Sequence, residues 1–184
     1  MSHAVCPWWL GYFLLNPLRK LRQHPAAILA PQVRAGMTVL EVGPGMGYFS
    51  VELARLVGEA GRVVAVDVQP RMLATLRRRA ARAGLSARLE TRLASGASLG
   101  VDDLCGQVDF VLAFAVVHEL PDEAAFFAQV VSVLEASGRM LVSEPRLHVS
   151  QPHFEATVRA AEAAGLREQD RPKVAASRSV LLVR

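Results

Sequence analysis

Cysteine is nearly missing from this chain, with only Cys6 and Cys105 in 184 residues. They form no C-x-x-C pair and no framework of the kind that staples small secreted domains, which points to a reduced, cytoplasmic setting. A membrane-spanning run is missing too. The apolar N-terminal stretch, Ala4 to Leu15, is interrupted by Pro7 and Gly11 and ended by Asn16 and Pro17, so it is too short to cross a bilayer. Its positive charges, Arg19, Lys20 and Arg22, follow the run, the reverse of a secretory leader. No internal repeat or low-complexity linker divides the sequence, and a hydrophobic content of 52% suits one domain with a sizeable core.

Aromatics are few, at 6%, yet Trp8, Trp9, Tyr12 and Phe13 crowd together near the start. Aromatics at that density need a surface to cover, so residues 1–35 are expected to form a short helical or lid segment ahead of a domain spanning 36–184. With Arg19, Lys20 and Arg22 behind it, the same segment is also suited to peripheral contact with anionic lipid through residues 8–22. The net charge of +4 and pI near 9.7 come largely from arginines such as Arg71, Arg77, Arg78, Arg79 and Arg82. Their grouping in one helix-like stretch reads as a solvated face, and a nucleic-acid partner is not expected.

What the sequence does contain is a strand, a glycine turn and a helix. Thr38 to Val42 suits a buried strand with Glu41 near its end; glycines follow at 43, 45 and 47; then Phe49, Leu53, Ala54 and Val57 take up helical spacing. Such a turn presents backbone N–H groups and a positive helix end to a ligand. The alternation continues. Strands are expected at Arg62 to Val68, Ala87 to Leu93, Val108 to Phe114 and Arg139 to Ser143, with helices opened by Pro70, by Pro121 to Glu123, and by Ser150. An apolar tail, Val180 to Val183, is one more strand, paired by the piece around Glu168 to Arg171. The pattern calls for an α/β, Rossmann-like, doubly wound and mostly parallel sheet with an antiparallel C-terminal strand.

Two cofactor classes use such a turn. The dinucleotide fingerprint needs a small third residue at position 48, which is Tyr; an NAD-type oxidoreductase is the weaker reading. The spacing E-x-G-x-G-x-G from Glu41 to Gly47, with Asp67 ending strand two, Asp109 leading strand four and L-E-A-S-G-R-M-L-V before strand five, resembles the class I S-adenosylmethionine-dependent methyltransferases. The resemblance covers nearly everything from Thr38 onward. It implies that Gly43, Gly45 and Gly47 approach the methionine part of S-adenosylmethionine, that Glu41 stands near its ammonium group, and that Asp67 holds the ribose. Val68 and Gln69 would lie beside the adenine, and Phe114 at the end of strand four would border the cofactor. Where the family commonly has an Asp after strand three, this chain reads Ala94, Ser95, Gly96, so Ser95 or backbone would serve the adenine amine.

Chemistry is expected at the carboxyl ends of strands four and five, where His118, Glu144 and His148 lie. His118 has a pKa that small changes move through neutrality, and Glu144 ends a strand with few structural partners in view. Cys6, His118, Glu144 and His148 are metal-binding residue types without a ligand spacing, and no metal is expected. Neither the N-P-P-Y turn of base amino-methylases nor a Pro-Cys pair follows strand four. The likeness is to small, free-standing methyltransferases of metabolites, with an apolar or soft acceptor such as a lipid-like ring, a thiol or a metalloid; the alternative is a peripheral enzyme acting on lipid.

Overall fold

The structure, a computed structural model, describes residues 23–184. The expected cover formed by Trp8, Trp9, Tyr12 and Phe13, the basic residues 19 to 22, and Cys6 lie outside the described residues. A short helix α1 (Pro25–Leu29) precedes strand β1 (Thr38–Val42), helix α2 (Ser50–Leu56), β2 (Arg62–Asp67), α3 (Pro70–Arg82), β3 (Leu89–Leu93) and β4 (Val108–Phe114). Then come α4 (Glu123–Val133), β5 (Leu134–Pro145), α5 (Gln151–Ala163), β6 (Arg167–Asp170) and β7 (Ser177–Val183). The seven strands form one sheet in the order β3-β2-β1-β4-β5-β7-β6. The strands from β3 to β5 pair in parallel, and β7 pairs antiparallel with both β5 and β6.

Both faces of the sheet are covered, and the strand period of two decides what goes where. Leu40, Val42, Val64, Val66, Val111 and Val142 pack on one side with Phe127 and Val130 of α4 and Phe154 and Val158 of α5. Val39, Val63, Phe110, Leu112 and Leu141 pack on the other with Leu29 of α1 and Leu53 and Ala54 of α2. Strands buried on both faces read as continuous apolar runs for this reason. Residues 23–35 are built into the domain: Leu29 is fully buried, and Arg139 Nη2 donates to Gln32 O at 3.1 Å.

Several local expectations have visible causes. Asp122 caps α4 by accepting from Ala125 N at 2.9 Å, and Ser150 caps α5 by accepting from His153 N, as acceptor side chains at that position do. Asp109 at the start of β4 has a structural contact: its Oδ2 accepts from Thr38 N at 2.7 Å and ties β4 to the start of β1. Strand β5 begins five residues earlier than expected, because Leu134 pairs with Val108 before an irregularity that returns the register at Arg139 opposite Phe110. The arginine face is only partly solvated. Arg79 is half-buried, and its guanidinium donates to the carbonyl of Met46 in the glycine turn.

Candidate active site

The order 3-2-1-4-5 reverses direction between β1 and β4, the place where ligands bind in open α/β sheets. A cleft of about 530 Å³ opens there, at the carboxyl ends of β1 to β4. Its floor is the glycine turn after β1 and its walls are the loops after β2, β3 and β4.

The turn works differently from the expectation of free donors. Gly43 N donates to Val66 O, Gly47 N to Pro44 O, and Gly45 N to Asp67 Oδ2 at 3.1 Å, so all three glycine N–H groups are engaged within the protein. Close approach is what demands the glycines. Gly43 has φ +69°, and a Cβ there would sit 2.5 Å from Cγ2 of Val116; Gly47 has φ +83° and lies against Leu76 of α3. Gly45 has open space where a Cβ would stand, and is the glycine that meets the cleft with Gly43. Gly47, expected at the cofactor, instead fixes the packing of α3 and is not part of the lining.

Two carboxylates dominate the electrostatics. Glu41 is buried, and its Oε2 has no hydrogen-bond partner among the described residues. Burial pushes its pKa from 4.5 to about 7, the Ser50 hydroxyl opposing and nearby Asp67 adding to the rise. An orphaned buried carboxylate oxygen at a cleft is open to a donor from a ligand or from water. Asp67 is also raised, burial outweighing the backbone N–H groups of Gln69, Gly45 and Val68. Its Oδ1 accepts from Gln69 N at 2.8 Å and its Oδ2 from Gly45 N, so one side chain ties together the loops after β1 and β2. Each oxygen retains a second lone pair for a diol. Asp67→Ala is therefore expected to lose at least about 1.5 kcal/mol of cofactor binding, read by calorimetric titration with S-adenosylhomocysteine.

Val68, Gln69 and Phe114 line the cleft. Ser95 does not: its backbone pairs with that of Ser98, and Ala94, Gly96, Ala97 and Ser98 form the wall in its place. The sequence reading also missed Val116 and Phe126, which line the cleft. Phe126 carried a signal, since with Phe127 and Val130 it marks the inner face of α4. Val116 carried none, because its place depends on the backbone at Ala115, a non-glycine residue at φ +57°.

His118, Glu144 and His148 do come together, behind the cleft wall and not in its lining. Glu144 is the correction. In place of a strand-end carboxylate with few partners, it is 1% exposed and accepts from Val116 N at 3.2 Å and Val117 N at 2.8 Å, while its other oxygen pairs with His118 Nδ1. The His118 and His148 rings are 6.0 Å apart, and His148 is exposed.

An α/β sheet with a glycine-floored cleft and acidic residues ending β1 and β2 defines a nucleoside-cofactor protein. Comparison with known proteins narrows it. The profile of the family described as "Methyltransferase domain" matches residues 34–174, so the chain belongs to that family, within the class I S-adenosylmethionine-dependent methyltransferases, whose cofactor is S-adenosylmethionine. It is 28% identical over 156 residues to the ubiquinone/menaquinone biosynthesis C-methyltransferase of Erwinia tasmaniensis, covering 83% of this chain and 60% of that one. It is 30% identical over 112 residues to the enzyme of that name from Marinomonas, covering 61% and 44%. The chain thus spans about half the length of the curated relatives it matches. An S-adenosylmethionine-dependent methyltransferase of Aquifex aeolicus has the same fold, with a TM-score of 0.87, 24% identity, and coverage of 97% of this chain and 99% of that one. An arsenic(III) methyltransferase of Chlamydomonas reinhardtii shares it at a TM-score of 0.64 and 22% identity, covering 83% and 64%. Among the described residues no helix is long and apolar enough to cross a membrane.

Proposed function

We propose that this chain transfers a methyl group from S-adenosylmethionine to a small, uncharged, apolar acceptor, with a ring carbon of a hydroquinone as the first acceptor to test. The lining carries the proposal. Beyond the carboxylates, the cleft is walled by Met46, Phe49, Phe114, Val116, Leu120 and Phe126, and no Lys, Arg or His is among its described residues. A phosphate or carboxylate on the acceptor would find no cationic side chain among the described residues of the lining. The curated relatives are named as C-methyltransferases of ubiquinone and menaquinone biosynthesis, which supports a ring carbon over a thiol or a metalloid.

The buried carboxylates fit the cofactor. Glu41 Oε2 would take the ammonium group, Asp67 the ribose hydroxyls, and the loop walls at Val68, Gln69 and Ala94 the adenine. When bound, S-adenosylmethionine supplies a methyl group on a sulfonium, open to in-line displacement. The protein's own contribution is alignment and exclusion of water: the apolar walls hold a ring against the floor, and the shape of the cleft fixes its distance from the turn.

Calorimetry with S-adenosylhomocysteine and, separately, NADH tests the cofactor, with binding expected only for the first. A demethylated naphthoquinol, incubated with methyl-labelled donor, tests the acceptor. Label on a ring carbon supports the reading; label on oxygen only, or NADH binding in place of S-adenosylhomocysteine, overturns it.

A further inference from the structure

We infer that Glu144 is a positioning residue: one buried carboxylate fixes both the acceptor-side wall of the cleft and the tautomer of His118. The inference rests on the methyltransfer reading for the use of that wall, and on geometry for the rest.

The chain leaves β4 through a sharp turn. Ala115 takes a left-handed backbone, its N–H donates to Ser143 O at 2.7 Å, and the next three residues, Val116, Val117 and His118, all bond to the single side chain of Glu144. Val116 is thereby held against Gly43 on one side and the cleft on the other. Two backbone N–H groups alone do not call for a charge, since a neutral acceptor serves them; a buried carboxylate is retained at a cost that a positive or donating partner must offset. That partner is His118.

A carboxylate only accepts hydrogen bonds, so His118 Nδ1 must carry the proton. Nε2 is then the acceptor of the neutral ring, and it makes no hydrogen bond to the described residues. The groups facing the ring are Glu144 from β5, Glu119 from its own turn, Glu123 from α4, and His148 from the loop after β5; His153 of α5 lies 3.4 Å from Glu123. The carboxylates raise the pKa of His118, Glu144 foremost, against an opposing effect of burial. His118 itself stands behind the wall and outside the lining, flanked in sequence by the lining residues Val116, Glu119 and Leu120, so Glu144 and His118 act on the cleft by holding that wall in place.

The test uses the full chain labelled with nitrogen-15 histidine, with His118→Gln to assign the signal. The neutral His118 ring is expected as the Nδ1–H tautomer, titrating above the ordinary 6.5. In Glu144→Gln the midpoint should fall and the Nδ1–H tautomer lose its dominance, while S-adenosylhomocysteine affinity changes by less than about threefold. An unchanged midpoint in Glu144→Gln, or an Nε2–H tautomer in the natural protein, overturns the inference. Should the natural protein fail to bind S-adenosylhomocysteine, the functional reading falls while the His118 result stands on its own. Should Glu144→Gln unfold, the tautomer of the natural protein still decides.

Discussion

Glu41→Gln is expected to remove a pH dependence from both folding and cofactor binding. The folded-state pKa of Glu41 lies at about 7, above its ordinary 4.5, chiefly through burial. A raised carboxylate contributes stability that is fully present below the unfolded value and is lost as pH rises through the folded one, because the unfolded chain releases the proton first. From 4.5 to about 7 that loss amounts to about 3 kcal/mol in the free protein. A cationic ammonium group acts in the other direction, binding the ionised carboxylate, so cofactor affinity should rise as pH passes through about 7. Comparison with Glu41→Gln isolates this residue from other titrations. Unfolding temperatures of the free proteins should diverge with pH, the variant becoming the more stable by about pH 8. At that pH the variant should bind S-adenosylhomocysteine about 10 to 100 times more weakly, the scale of a charged hydrogen bond. Parallel melting curves across the range would remove Glu41 from this role.

Gly43→Ala should cost about 2–5 kcal/mol of stability and most of the cofactor affinity. Two penalties combine. An L-residue at φ +69° carries about 1–2 kcal/mol of strain, and a Cβ 2.5 Å from one carbon of Val116 and 2.8 Å from another adds about 1–3 kcal/mol of overpacking. The clash is relieved only by moving the loop after β4, which Glu144 and Ser143 hold from behind. Gly45→Ala is the control, since a Cβ there meets nothing and only the backbone strain remains. Chemical denaturation of both variants separates crowding from strain. Equal losses would mean that Val116 yields freely.

The fold was legible because each of its signals is local. Continuous apolar runs marked β1, β2 and β4, and Pro70, Asp122 and Ser150 marked helix starts through chemistry contained within one turn. Glu41 and Asp67 were singled out by the resemblance, through the E-x-G-x-G-x-G spacing and the end of strand two, and both line the cleft. The rule that a strand-end carboxylate has few structural partners misled at Glu144, whose partners Val116, Val117 and His118 come from the turn after β4. Arg79 misled likewise. Its place in an arginine-rich helix says solvent, while its contact with Met46 O depends on where α3 crosses the glycine turn. Ser95 failed because its bridge to Ser98 closes a loop whose course no residue pattern encodes. Contacts between loops, in short, are set by the sheet order, which the sequence carries only diffusely.

Val116 belongs to two neighbourhoods at once, packing against Gly43 of the glycine turn and lining the cleft, which on the proposed reading makes it part of both the donor's floor and the acceptor's wall. Selection on this position is therefore read twice. A smaller side chain that admits a bulkier acceptor also loosens the turn that grips the donor, and a larger one that narrows the choice of acceptor presses that turn out of shape. Lineages that change substrate through position 116 should carry compensating changes around Gly43, so that acceptor range and donor affinity drift together.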